Sequence, residues 1–243
     1  WHQHTLYHSR INLFYLLFAR RVISISKFCH NRLNNFVKKK TYILINPFET
    51  FKYENFNNSS KLKLKKKLGF KENEKIIIYI GDDNYQKRFD FFISIAEQVE
   101  KELNNIKFLV FLKSSRSKKV SNENFKFFVG NYKIKEFLKI SDILISPSVN
   151  EGFGRVLVEA HLTKTLVVAS DSGGHKEIIK NNFNGFLVKK DSKNLFLIKI
   201  LYIIKNLNNK KIKTVIDNGF LQSKKKYSLN KYTKKLFSIY EKI

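Results

Sequence analysis

The chain has 243 residues, 47 Lys plus Arg against 20 Asp plus Glu, a formal charge of +27, and one cysteine, Cys29. That length suits one large domain or two small ones; a lone cysteine excludes an internal disulfide framework and fits a reducing, cytoplasmic compartment. The charge draws the chain toward polyanions, and three readings of it stand side by side: the Lys/Asn/Ile/Phe bias of an AT-rich genome, peripheral attraction to an anionic inner membrane face, and nucleic-acid binding. Only seven arginines occur, spread from Arg10 to Arg155, and base recognition favours clustered arginines with aromatic platforms, so no specific nucleic-acid partner is expected. The lysine runs at 38–40, 61–67 and 224–226 fit the membrane reading.

In chain order, the most apolar N-terminal run, 11–19, contains Asn12 and stops at Arg20, short of the roughly 20 apolar residues that span a bilayer. The Asn/Lys-rich patches at 54–67 and 205–213 read as loops or solvated helix faces. Residues 75–80 (KIIIYI) form a strand pattern, and apolar residues recur at helical spacing from Phe89 onward. Strands follow at 106–112 and 125–129, a short helix at 134–140, a strand at 142–146 (DILIS) ended by Pro147, a helix over 155–162, a strand at 165–169 (TLVVA) and a last helix over 227–243. Strands alternating with helices at this spacing imply an α/β, Rossmann-like, doubly wound parallel sheet over residues 46–223.

The most informative stretch is 146–159, SPSVNEGFGRVLVE. Glu151 precedes Gly152, Phe153 and Gly154, and the helix then opens at Arg155 with Val156, so Glu159 falls about one turn into it. Exposed amides and the positive end of the dipole make a helix N-terminus a seat for phosphate, and glycines let backbone approach it. Carboxylates would repel a bare phosphate; they suit hydroxyls attached to one, and a sugar nucleotide has both parts. The loop lies after a strand and before a helix, the end of an open α/β sheet where ligands bind.

EGFGRVLVEA, then SDSGGHKEII with Gly173, Gly174 and His175, then NGFLV, resemble the donor-binding half of retaining GT-B glycosyltransferases, specifically family 4 (glycosyl transferases group 1). The resemblance implies transfer of a sugar from a nucleotide diphosphate sugar to an acceptor hydroxyl with retention, in cell-envelope polysaccharide or glycolipid synthesis, the acceptor being a glycan or lipid-linked. It implies that Glu151 holds sugar hydroxyls, Glu159 holds ribose hydroxyls, and the loop at 129–133 meets the base. The family's Gly-Arg-x4-Lys-Gly segment is matched at Gly81 and Lys87, which would grip the diphosphate. Asp82 stands at the Arg position and Arg88 at the second Gly, and Arg88 is the candidate replacement for the missing charge. Before TLVVA, Lys164 and Leu166 stand where the family has Gly and Pro. Glu151 and Lys87 are the catalytic candidates; Gly81, Arg88, Gly152 to Val156, Glu159, Gly173, Gly174 and His175 join Lys87 as donor-binding candidates.

By the same resemblance, 21–27 (RVISISK) and 41–47 (TYILINP) match the strands that leave the first GT-B domain and enter the second. Residues 1–45 are then the end of an acceptor domain, 46–223 the nucleotide-sugar domain, and 224–243 the helix crossing back. The chain is expected to be an N-terminally truncated fragment, inactive in transfer on its own. The family's sugar-contacting His would fall near His2 or His4, while His8 and His30 read as surface residues. Neither metal nor cofactor is expected, since no His/Cys cluster has ligand spacing and Asp82–Asp83 lacks partners in sequence. The alternative is a non-catalytic Rossmann-like nucleotide-binding or interaction module, a reading that Asp82 favours.

Overall fold

The computed structural model describes residues 2–3, 18–53, 58–114 and 122–241, with residues 2, 3 and 58 described by backbone alone. The side chain of His2, His4, His8 and most of the 11–19 run lie outside the described residues.

Two parallel sheets organise the described residues. The small one runs β1 (His2–Gln3), β2 (Val22–Ser24) and β3 (Thr41–Ile43), with α1 (Lys27–Asn31) and α2 (Asn35–Lys39) between the last two strands. Both short helices are capped by side chains, Ser26 accepting from the Cys29 amide and Asn34 from the Val37 amide, which satisfies amides that have no partner within the helix. After α3 (Asn58–Lys67) the large sheet is laid down: β4 (Lys75–Gly81), α4 (Phe89–Glu102), β5 (Ile106–Leu112), β6 (Phe125–Val129), α5 (Ile134–Ile140), β7 (Ile143–Ser146), α6 (Arg155–Leu162), β8 (Leu166–Ser170), α7 (His175–Ile178) and β9 (Phe186–Val188). The chain closes with α8 (Lys193–Lys205), α9 (Lys210–Lys226) and α10 (Leu229–Tyr240).

The large sheet has the order β6-β5-β4-β7-β8-β9, every neighbour parallel. Its strands are apolar runs because helices cover both faces, and the two-residue period sorts each run between them. Ile77, Tyr79, Phe108, Val110, Ile143, Ile145 and Val168 enter one core, beneath α4 and α8. Ile76, Ile78, Leu109, Phe111, Leu144, Val167 and Ala169 enter the other, beneath α5 and α6. The doubly wound sheet expected from the pattern is therefore present, and its strand boundaries agree to within a residue or two. In the small unit, Ile239 and Leu236 of α10 pack on Ile23 and Leu44.

One patch departs from its expected character. The Lys/Asn-rich 58–67 stretch is the helix α3, and it buries Lys65, whose ammonium donates to the carbonyl of Glu72 at 2.9 Å and to that of Glu74. Two carbonyls replace the water that burial removes, which is how a lysine can sit inside; burial holds its pKa below the usual lysine range. Among the described residues, no helix is long and apolar enough to cross a membrane.

Candidate active site

Strand order reverses between β4 and β7, because the chain winds outward through β5 and β6 and then returns to the other side of β4. Such a switch point leaves a crevice at the carboxyl ends of the two strands. The loop after β4 carries Lys87 and the loop after β7 carries Glu151, and the two side chains meet across the crevice: Lys87 Nζ lies 2.6 Å from Glu151 Oε2, both groups mostly buried. Backbone and side-chain bonds hold the loops together around this pair, the Val149 amide donating to the Gln86 carbonyl at 2.8 Å and the Gln86 side chain to the Asn150 carbonyl at 3.2 Å.

The β4 loop is fixed from below. The Asn84 side chain accepts from the Lys87 amide at 2.8 Å, and the Tyr79 hydroxyl lies 3.3 and 3.2 Å from the Asp82 and Lys87 carbonyls. Burial first, then the carboxylates of Asp83 and Asp82, push the Tyr79 phenol up, so it stays protonated and donates. A Cβ at Gly81 would stand 2.5 Å from that hydroxyl, which explains the glycine. Asp82 turns its carboxylate to the Asp83 amide and the Ser114 hydroxyl. It supplies no cation to the crevice.

The third wall is the turn after β8. Gly173 has φ of +57°, and a Cβ there would stand 2.6 Å from the Glu151 carbonyl; one at Gly174 would stand 2.6 Å from the Gly152 carbonyl and 2.7 Å from Phe153 Cα. The Gly174 amide donates to the Glu151 carbonyl at 2.8 Å. Two glycines are needed because two backbones touch. The α6 helix then starts at Gly154 with φ of +95° and no side-chain cap, leaving its first amides and dipole facing the loop.

Four sequence candidates thus come together: Lys87, Glu151 and the two glycine turns. Phe153 is buried against Tyr227, so only its backbone borders the crevice. Glu159 lies on α6 with Arg155 at 3.9 Å, and Arg155 stacks over Phe48 at 4.9 Å. Partial burial raises the Glu159 pKa, with Arg155 offsetting it in part; a part-buried acceptor of this kind suits a neutral hydroxyl donor. Val156 is half-buried on the same first turn.

Two candidates make other contacts in the fold. The Arg88 guanidinium donates to the Lys190 carbonyl, pairs with Asp191 at 3.3 Å and stacks 4.0 Å from Phe91. The residue has φ of +59°, the left-handed region that glycine enters without strain, and that backbone turn aims the side chain away from Lys87. Arg88→Gly is accordingly expected to leave nucleotide affinity within about threefold, since the lost ion pair is a surface one, as measured by calorimetric titration. His175 is fully buried behind the glycine turns, close enough to Glu151 and Lys87 to feel both charges. Its Nδ1 lies 3.1 Å from the Ser170 carbonyl, which can only accept, so that nitrogen carries the proton and Nε2 faces the Ser146 hydroxyl at 3.4 Å. The ring also props the loop, a Cβ at Gly154 falling 3.1 Å from its Cδ2.

Burial lowers the pKa of both His175 and His161 to about 4 from 6.5. Between these values the unfolded chain takes up protons that the native one refuses, so this stability is full above pH 6.5 and falls as pH drops toward 4. The expected loss is about 3 kcal/mol for each ring, seen as a falling urea midpoint between pH 7 and 4.5. His161→Gln should flatten that slope.

Glu177 lies within the SDSGGHKEII segment, where nothing local marks its role. Its carboxylate accepts from the Lys27 and Phe28 amides at 2.9 and 2.7 Å, capping α1 from the other sheet, while the Ser26 hydroxyl donates to the Gly152 carbonyl at 2.5 Å. No local pattern reveals a cap supplied 150 residues away.

The family model for glycosyl transferases group 1 matches residues 60–220, about two thirds of the chain and all three walls of the crevice. The chain belongs to this family. An uncharacterized glycosyltransferase of Methanocaldococcus jannaschii, MJ1607, is 28% identical over 186 residues, covering 69% of this chain and 46% of that one. The poly(ribitol-phosphate) α-N-acetylglucosaminyltransferase of Staphylococcus aureus is 31% identical over 144 residues, covering 56% of this chain and 29% of that one. The chain therefore spans less than half the length of these two curated relatives. Among solved structures, Anabaena Alr3699/HepE in complex with UDP and glucose superposes with a TM-score of 0.84 at 19% identity, over 100% of this chain and 71% of that one. At that identity the likeness shows the fold, that of GT-B glycosyltransferases. In this family the crevice at the switch point is the candidate active site.

Proposed function

We propose that this chain forms the donor-binding part of a retaining glycosyltransferase of family 4, which moves a sugar from a nucleotide diphosphate sugar to an acceptor hydroxyl. The observation that carries the reading is the Lys87–Glu151 pair across the switch point, beside the uncapped start of α6. Lys87 and the α6 amides stabilise the charge that grows on the leaving diphosphate. Glu151 holds sugar hydroxyls, and Glu159, part-buried on α6, holds the ribose hydroxyls. The acceptor oxygen attacks the anomeric carbon on the face the diphosphate leaves, and its proton passes to the departing phosphate oxygen, so retention needs no protein base. No metal or cofactor enters this scheme. The UDP named in the Anabaena complex supports a nucleotide donor. Polymer and lipid-linked acceptors named for the relatives from S. aureus and Escherichia coli support an envelope acceptor and work at an anionic membrane face.

The test is calorimetric titration with UDP, GDP, ADP and their sugar conjugates. One nucleotide is expected to saturate, and Glu159→Ala to weaken it about tenfold, the loss of charge-assisted bonds to a diol. Binding no better than inorganic pyrophosphate, unchanged in the variant, would overturn the reading. It would leave the non-catalytic module that Asp82 favours.

A further inference from the structure

Beside the joint of the two sheets, on the side of α10, lies a cleft of about 650 Å³. Lysines reach it from four elements: Lys27 at the start of α1, Lys176 on α7, Lys226 at the end of α9, and Lys231 and Lys235 on α10. The one acid among the described lining residues, Glu177, spends both carboxylate oxygens on the Lys27 and Phe28 amides. Lys226 donates to the Glu177 carbonyl at 3.0 Å, and Lys176 pairs with Asp171 at 3.2 Å. Among the described residues, Lys27, Lys231 and Lys235 have no anionic partner.

Folding thus gathers ammonium groups from positions 27 to 235 around one space and leaves most of their charge unanswered. Their mutual repulsion is felt at Lys226, held below the usual lysine range by burial first, with Lys27 and Lys231 adding to the effect against Glu177. Lys226 is half-buried and the other four lysines are exposed at the rim, and like charges gathered around one space cost free energy that a bound counter-anion removes. The cleft also has a built wall: Tyr227 is buried there, and its hydroxyl finds no hydrogen-bond partner among the described residues.

We propose that this cleft is a second ligand site, which binds a compact phosphate-bearing anion at the joint between the two sheets, separate from the crevice at Lys87. Lysines are point donors and suit the several oxygens of a phosphate approached from different directions. The volume lies within the range of small-molecule sites, and Tyr232 and Ser228 in the lining offer ring and hydroxyl contacts to an organic portion. Because the lysines belong to α1, α7, α9 and α10, an anion held by them ties the small sheet to the glycine turn that backs Glu151.

The probe is inorganic pyrophosphate, titrated calorimetrically at about 150 mM salt, where charges farther apart than about 8 Å are largely screened. Saturable binding is expected. The triple variant Lys27→Gln/Lys231→Gln/Lys235→Gln should weaken it at least about tenfold, whereas the charge-matched Lys210→Gln/Lys211→Gln/Lys213→Gln on exposed α9 should not. Lys87→Ala should leave this binding in place, which separates the site from the donor reading. Equal loss in both triple variants, or loss in Lys87→Ala alone, would overturn the proposal. Unchanged melting temperatures confirm that the variants fold. Phosphatidylglycerol vesicles then identify the source: sedimentation that pyrophosphate competes and the cleft variant reduces assigns a lipid headgroup to the site. Pyrophosphate binding with no such sedimentation assigns a soluble phosphate compound.

Discussion

Gly174→Ala is expected to weaken nucleotide binding about a hundredfold and to lower stability by about 3 kcal/mol, the upper end of what an extra carbon forced into packed structure costs. The added carbon would stand 2.6 Å from the Gly152 carbonyl and 2.7 Å from Phe153 Cα, and neither is a flexible tip that can swing aside. The two loops must part. Parting breaks the bond from the Gly174 amide to the Glu151 carbonyl and strains the bond by which Ser26 holds Gly152. Gly69→Ala is the control, since a Cβ there meets nothing within 4 Å and only its φ of +80° is strained; it should cost about 1 kcal/mol and leave binding alone. Urea denaturation and titration with the preferred nucleotide measure both effects. Equal behaviour of the two variants would show that loop contact does not shape the site.

Lys87→Ala is the second large effect, and its signature is selective. It removes the counterion of a mostly buried carboxylate, which costs about 1–3 kcal/mol of stability at this partial burial. It also removes the cation nearest the expected diphosphate, so nucleoside diphosphate affinity should fall about a hundredfold while affinity for the bare nucleoside holds. Glu151→Gln should show the converse, sparing the nucleoside diphosphate and weakening its sugar conjugate. If both variants weaken nucleoside and nucleotide alike, the ion pair only props the loops and touches no ligand.

These expectations rest on features of unequal legibility. The strands of the large sheet could be read from sequence because their signal is local: an apolar run bounded by turn residues, buried on both faces whatever the strand order. Helix α6 was legible for the same reason, its amphipathic pattern opening after Gly-Phe-Gly. The site was legible in part. The glycines at 173 and 174 stood out as a turn, but that each is required by contact with residues 151–153 depends on two loops meeting in space. Arg88 looked like a spare cation beside Lys87; its positive φ, invisible in a residue list, sends it to Asp191 instead. His175 looked like a loop residue near phosphate, and burial by α6 and β8 makes it a neutral prop.

The sequence by itself determined the alternation of strands and helices, the family resemblance and the residue types available to the chemistry, because these depend on neighbours within a few turns of chain. Tertiary structure alone decided which of those residues meet. Strand order puts β7 beside β4, so Lys87 and Glu151, 64 positions apart, form one ion pair, and α10 returns to the small sheet, so lysines from positions 27 to 235 share one cleft. The physical reason is the same in both places: charge acts through space over a few ångströms, and only the closed fold fixes which charges lie within that reach.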